Sequence, residues 1–326
     1  MITVVIPNWN RAALLETALD SLRRQTRPAE EIIVVDNGST DNSVQVAHAA
    51  GARVIEMHAN AGFARAVNTG IQAATGDFIA VVNNDVHLEP AWLQTLWASL
   101  APSEYGFATG KLLDASRDGV IDGTWDEICR GGCAWRCGQG RADAEVWNRG
   151  RPIRFAPFTA VLFRASVFQR VGMLDHTYES YMEDVDFGIR CAMNGVEGLY
   201  VPEARCRHRG SATYGQWSYD TVRLLARNQA VLIARNFPDS WLIRYGWPVM
   251  VAQVLWGVLA ARHGQFRAWA RGKMEGARLF RALRRNRPAH DARTFHRIIL
   301  EAEDEIKALQ KATGYDLFWR LYFALT

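Results

Sequence analysis

Early in the chain, four short apolar runs at residues 2–6, 32–35, 54–55 and 78–82 alternate with stretches of helical length. Leu14, Leu15, Ala18, Leu19 and Leu22 recur at helical spacing, so residues 11–25 read as a helix packed on a sheet. Residues leading to Ala50 and residues 64–74 read the same way, the latter ended by Gly76. Such alternation predicts an α/β fold with a mainly parallel central sheet and helices on both faces. Apolar residues at 49% and charged residues at 22% are ordinary for a globular chain of 326 residues.

The ends of two runs carry the chemistry. The second stops in Asp36-Asn37-Gly38-Ser39-Thr40-Asp41 and the fourth in Asn83-Asn84-Asp85. In an open α/β sheet, ligands bind outside the carboxyl ends of the strands. A carboxylate there suits a hard cation such as Mg²⁺, which keeps waters and shares its other ligands with phosphates. Asp85 is therefore a candidate metal ligand against a diphosphate; the plainer alternative is a polar turn in which Asp85 caps the next helix. No G-x-G-x-x-G follows the first run, which argues against dinucleotide and P-loop cradles, so a nucleotide would be held by side chains.

Residues 91–100 read as an amphipathic helix. Residues 105–154, rich in Gly, Arg and Trp, read as an inserted hairpin or loop region, and residues 159–163 and 165–171 as a strand and a short helix. Glu183, Asp184 and Asp186 then open a helix that runs to Asn194 and is capped by Gly195. A helix N-terminus favours negative charge, but three acids in four residues exceed what capping needs. Extended residues 199–201 and 205–208 end in His208-Arg209-Gly210-Ser211, making His208 a candidate ligand.

Taken in order, these motifs resemble the inverting family 2 glycosyltransferases with the GT-A fold. The matching stretches are Val4-Val5-Ile6-Pro7-Asn8-Trp9-Asn10-Arg11, Val34-Val35-Asp36-Asn37-Gly38-Ser39-Thr40-Asp41 and Asn60-Ala61-Gly62-Phe63-Ala64. Asn68-Thr69-Gly70, Asn83-Asn84-Asp85, Val171-Gly172-Met173-Leu174-Asp175 and Glu183-Asp184-Val185-Asp186 continue the series. The resemblance spans about residues 2 to 237 and is greatest to the rhamnosyltransferase-like branch that builds bacterial surface polysaccharides. It implies that Asp36, with Pro7 and Asn8, contacts the base and ribose of the donor, and that Arg65 helps hold the nucleotide. It implies Asn84 near the ribose or diphosphate, Asp85 as ligand of Mg²⁺ or Mn²⁺, and His208 as an additional ligand. The first acid of the family's D-x-D motif is Asn83 here, which leaves more of the metal binding to Asp85. Asp184 matches the catalytic base, with Glu183 as runner-up. The implied reaction moves a sugar, rhamnose from dTDP-rhamnose first and a UDP-linked sugar as the alternative, to a glycan or lipid-linked saccharide acceptor. A nucleotidyltransferase would carry a glycine-rich basic loop after the first strand, which residues 7–11 lack. A catalytically silent nucleotide-sugar-binding scaffold is the remaining alternative.

The expected organisation is a catalytic domain at 1–215, with a nucleotide-binding half near 1–100 and an acceptor half near 101–215, then a helical region at 216–326. Residues 241–261 are almost wholly apolar, yet Arg244, Pro248, Gln253 and Gly257 interrupt them. A membrane span, a buried helical pair and an interfacial helix all remain open for this stretch. The net charge is +4, but residues 262–297 hold eleven Lys/Arg against two acids. That basic stretch beside Trp241, Tyr245, Trp247 and Trp256 fits an anionic membrane surface, with a subunit interface as the alternative. No nucleic-acid module accompanies the charge, so nucleic acid is not expected. Residues 294–325 read as helical with a sticky aromatic end for a membrane or a second copy of the chain. The five cysteines and a strand beginning at Ile2 point to free thiols in the cytoplasm, with the protein peripheral on the inner face of the membrane. Cys129, Cys133 and Cys137 lack a fourth ligand at zinc-like spacing.

Overall fold

The computed structural model describes residues 1–210 and 217–326, in two compact units: Met1–Trp125 with Gly138–Gly210, and Asp126–Cys137 with Ser211–Thr326. Ser211 and the expected boundary at 215/216 lie outside the described residues. In the first unit, β1 (Ile2–Asn8), α1 (Ala12–Arg23), β2 (Glu31–Asp36), α2 (Ser43–Ala49), β3 (Arg53–Glu56), α3 (Phe63–Ala73) and β4 (Phe78–Val82) alternate as the sequence predicts. Then follow β5 (Val86–Leu88), α4 (Trp92–Leu100), β6 (Phe107–Asp114) and β7 (Ile121–Gly123). The chain passes through β8 (Asp126–Ile128) and β9 (Ala134–Arg136) in the second unit. It returns as β10 (Arg151–Ile153), β11 (Ala160–Arg164), α5 (Ala165–Val171), α6 (Glu183–Met193) and β12 (Gly198–His208).

The sheet order is β10-β12-β6-β11-β4-β1-β2-β3, with β5 paired to β12 and β7 to β6. Strands β3-β2-β1-β4 are parallel, as is the β6–β12 pair, and β11 joins the two sets antiparallel to both neighbours. The α/β class and the parallel strand set are thus as expected. Side chains alternate across the strands. Ile2, Val4 and Ile6 point to one face, in one core with Leu15, Leu19 and Leu22 of α1 and Trp92, Leu93 and Leu96 of α4. On the other face α3 lies against Val5 and Val35. Phe163 of β11 meets Phe107, Phe158, Phe168 and Phe187 with ring centroids 5.0–5.7 Å apart, which seats α5 and α6 on the sheet.

The region 105–154 does hold an inserted hairpin, β8–β9, as expected, but it begins with an interior strand of the main sheet, β6. Its pattern is obscured by Lys111, which is fully buried because Asp143 (2.6 Å) and Asn148 receive its ammonium. The extended residues on either side of Pro202 form one strand, β12, as expected, with a register shift between Tyr200 and Arg205.

The described residues of the second unit form the β8–β9 hairpin and five helices: α7 (Tyr219–Asn236), α8 (Asp239–Arg262), α9 (Phe266–Arg285), α10 (Ala292–Thr313) and α11 (Leu317–Leu325). Gly272 and Gly276 let α9 approach α7 closely: a Cβ there would stand 2.1 Å from the Arg223 carbonyl oxygen and 2.9 Å from that of Arg227. The apolar stretch at 241–261 is helical on both sides of a kink at Tyr245, whose own backbone is not helical. The two segments of the helical-pair reading are therefore present, but they are for the most part not buried. The final helical stretch is broken after Thr313, where Gln310 grips residue 316 through both the Asp316 amide and its carboxylate. The hairpin belongs here because Glu303 of α10 pairs with Arg130 at 2.7 Å and accepts from the Tyr322 hydroxyl of α11 at 2.8 Å.

Candidate active site

The carboxyl ends of β2, β1 and β4 lie side by side, and their last residues form one hydrogen-bonded row. Asn8 is in register with Asp36 across β1 and β2. Its side-chain nitrogen donates to Asp36 Oδ1 at 3.4 Å and to Ser39 Oγ at 3.3 Å, while its oxygen accepts from Asn84 Nδ2 at 2.7 Å. Asp36 Oδ2 accepts from the Ser39 amide at 2.9 Å. The loop 36–41 that the sequence marks as polar is thereby folded onto the tip of β1. Pro7, one residue earlier on β1, is buried in the strand.

Asp85 and His208 meet from opposite directions in the chain. Strand β12 runs antiparallel to β5 with His208 opposite Val86, which brings His208 Nε2 to 3.2 Å from Asp85 Oδ1. The other ring nitrogen, Nδ1, lies 2.7 Å from Asp122 Oδ2 on β7. Burial alone would depress the imidazolium, but the hydrogen bonds to Asp122 and Asp85 outweigh it and push its pKa up to about 9. Asp122 went unrecognised in the sequence: Ile121-Asp122-Gly123 is too short a strand to show a period. The one signal available was an acid flanked by an apolar residue and a glycine. Beside this pair, Asn83 Oδ1 is a buried acceptor with no hydrogen-bond partner among the described residues.

Glu183 and Asp184 open α6, Glu183 buried and Asp184 half-buried with Oδ1 accepting from the Val185 amide at 2.8 Å. The third acid serves the fold: Asp186 pairs with Arg190 at 2.9 Å and accepts from the buried Tyr178 hydroxyl at 3.1 Å. The loop before α6 is strained, with positive φ at Glu179, Tyr181 and Met182. Among the described residues, the other non-glycine positive-φ positions are Asn10, Arg11 and His58, after β1 and β3. Strain of this kind costs about 1–3 kcal/mol per residue and persists only where the surroundings impose it.

A chain of contacts links this loop to Asp36. Asn37 donates to Asn60 Oδ1 at 3.0 Å and to the Gly62 carbonyl at 3.3 Å, and the Ala64 amide donates to the Glu179 carbonyl at 3.2 Å. Gly62 sits at φ 89°, and a Cβ there would stand 2.9 Å from the Glu179 carbonyl oxygen, so a side chain would push the two loops apart. Asn68 of α3 clamps Leu174 through its amide and carbonyl, at 3.0 and 2.8 Å. Arg65, on the same helix, is exposed and makes no side-chain hydrogen bond or ion pair among the described residues.

Among the described residues no three His, Cys, Asp or Glu side chains form a ready-made metal cage. The cysteines are all free and buried, with Cys129 in the turn after β8 and Cys137 just after β9.

Residues 3–172 match the model of glycosyl transferase family 2, and residues 142–290 that of glycosyl transferase family group 2. An N-acetylglucosaminyl-diphospho-decaprenol L-rhamnosyltransferase of Mycobacterium tuberculosis is 25% identical over 273 residues, covering 76% of this chain and 88% of its own. An uncharacterized glycosyltransferase of Nostoc sp. is 38% identical over 257 residues, covering 77% of this chain and 78% of its own. A solved mannosyltransferase of Pyrobaculum calidifontis, in complex with GDP-Man and Mn²⁺, shares the fold with a TM-score of 0.54 at 17% identity. The alignment covers 99% of this chain and 86% of that one.

Proposed function

Because this chain belongs to glycosyl transferase family 2, we propose that its first unit catalyses metal-dependent, inverting transfer of a sugar from a nucleoside diphosphate donor. The acceptor is a hydroxyl of a glycan or lipid-linked saccharide, in the synthesis of a bacterial surface polysaccharide. The leading donor is dTDP-rhamnose, supported by the name of the M. tuberculosis relative; a UDP-linked sugar is the other outcome of a donor screen. The cytoplasm, where free thiols persist, is the compartment this reading assigns.

The observation that carries the proposal is the row Asp36–Asn8–Asn84 running into the Asp85–His208 pair, all at strand ends. Asp36, with Pro7 and Asn8, would receive the base and ribose; Asn84 would face the ribose or diphosphate, and Arg65 would reach the nucleotide from α3. The donor set fits a divalent cation. Asp122 engages His208 Nδ1 and leaves Nε2 turned to Asp85; a cation that displaced the Nε2 proton would find the imidazole oriented by an outer carboxylate. Two protein ligands suffice for Mg²⁺ or Mn²⁺, which takes its remaining ligands from water and diphosphate oxygens. Held by Asp85 and His208, the ion would supply positive charge against the departing diphosphate.

Asp184 is the general base, with Glu183 as the alternative. As the acceptor oxygen bonds to the anomeric carbon, Asp184 takes the hydroxyl proton and the bond from that carbon to the diphosphate oxygen breaks on the opposite side. One base within about 3 Å of the hydroxyl is enough, since the diphosphate leaves without protonation. A glycosidase would need two carboxyl groups flanking one bond.

The Asp184→Asn variant tests the assignment. Its turnover should fall by about two to four orders of magnitude while donor affinity stays within about twofold of wild type. Undiminished turnover would remove Asp184 from the role.

A further inference from the structure

Helix α8 is apolar along its length, yet only 22% of its most apolar 18-residue stretch is buried. Its exposed side chains are not scattered. Beyond the kink, Trp247, Met250, Val254 and Val258 follow one another at steps of three and four and so share one face, and Ile243 before the kink is exposed as well. Ile243 is 88% exposed and Val258 60%. Helix α11 packs beside α8, with its last turn tied to Trp247 by a 2.8 Å bond from the indole nitrogen to the Leu325 carbonyl. It adds its own exposed stripe, Leu317, Leu321 and Leu325.

The opposite side of α8 is occupied. The Trp241 indole donates to the Arg130 carbonyl at 3.1 Å and Gln253 to the Gly131 carbonyl at 3.1 Å. A helix with one side fixed to its own domain, a kink at Tyr245 and Arg244 and Gln253 along it lies on an apolar phase and does not cross it.

Charge identifies that phase. Between residues 240 and 261 the only charged side chain is Arg244, and within α11 it is Arg320. Helix α9, joined to α8 by residues 263–265, carries Arg267, Arg271, Arg278, Arg281 and Arg285 as an exposed stripe at helical spacing; Arg271 is paired with Glu275. A two-fold interface with a second copy would set this patch against itself, and its acids Glu275 and Asp239 are already paired with arginines of this chain. An anionic lipid surface accepts both features, apolar side chains in the acyl boundary and arginines among the headgroups.

We propose that the α8–α11 face of the second unit docks the protein on an anionic membrane, with Ile243, Trp247 and Val254 entering the lipid and the α9 arginines holding the headgroups. The assignment rests on residues outside the transfer site, and its test uses no sugar substrate, so it stands or falls apart from the catalytic reading.

The test is co-sedimentation of the full chain with vesicles of phosphatidylcholine alone and of phosphatidylcholine mixed equally with phosphatidylglycerol. The wild type should pellet with the mixed vesicles and be released by salt. Arg278→Gln, Arg281→Gln and Arg285→Gln together should lower partitioning about a hundredfold, at about fivefold per arginine. Ile243→Asp with Val254→Asp should abolish it while circular dichroism and Tm stay as in wild type, both positions being exposed. Wild-type protein left in the supernatant with mixed vesicles overturns the proposal. So does a dimer, seen by light scattering, that the aspartate pair dissociates, because the face then belongs to a second copy. Resistance to alkaline carbonate extraction overturns it in favour of a span.

Discussion

Replacing Asp122 by Ala separates a structural from a metal-directing role for the carboxylate behind His208. The bond from His208 Nδ1 to Asp122 is 2.7 Å, and both side chains are nearly buried, at 8% and 12% exposure. A hydrogen bond to a charged group in such a place contributes about 2 kcal/mol, and its loss leaves the imidazole nitrogen without that acceptor. For a unit of this size the metal-free Tm should fall by about 5 °C. If His208 Nε2 is a ligand, the same change also frees the ring to turn, and Mn²⁺ affinity should drop about ten- to a hundredfold. Asp122→Asn, which keeps an acceptor oxygen but no charge, should fall between. Free Mn²⁺ is read directly by electron paramagnetic resonance during titration, alongside thermal melts of each variant. A lowered Tm with unchanged Mn²⁺ affinity would refute the metal-directing role and leave Asp122 a structural partner only.

In the second unit, Glu303→Leu removes the partner of Arg130 at 2.7 Å and should destabilise the protein by about 3 kcal/mol, measured by urea unfolding. A loss below about 1 kcal/mol would show that the pair does not hold the hairpin to α10. Lys273 is enclosed, donating to Gln229 and Gln253, and burial pulls its ammonium down to about 8 from 10.5. The folded state therefore binds this proton less tightly than the unfolded one. The resulting penalty is fully present below pH 8 and disappears as pH rises towards 10.5. Relative to Lys273→Met, the wild type should gain about 2 kcal/mol between pH 7 and pH 10, and a flat difference would contradict the burial of that charge.

The sequence made the first hundred residues legible because β1 and β4 are buried on both faces and α1, α3 and α4 each carry a simple apolar stripe. Asp36, Asn84 and Asp85 were visible as polar side chains at the ends of such runs. Strand β6 was not, because Lys111 and Gly110 interrupt its apolar pattern, and a lysine reads as exposed until Asp143 and Asn148 are seen around it. Asp122 was hidden for a related reason: its partner His208 is distant in sequence, and only the pairing of both β12 and β7 with β6 brings the two together. The strained residues before α6 leave no trace in composition, since Tyr181 and Met182 are not turn formers. The apolar stretch in α8 was legible as such, but its exposed face depends on which side the β8–β9 hairpin covers.

On the proposed function, the strand-end cluster receives a nucleoside diphosphate together with a divalent ion. Thermal melts with dTDP, dTDP-rhamnose, UDP or UDP-glucose, each with Mn²⁺ and with chelator, test it most directly. At a hundredfold excess over Kd a ligand adds about 2.7 kcal/mol to stability, a rise of roughly 5–10 °C. At least one nucleotide should give such a rise in Mn²⁺, lost with chelator and in Asp85→Ala. A melting temperature that no nucleotide moves, with or without metal, would contradict it.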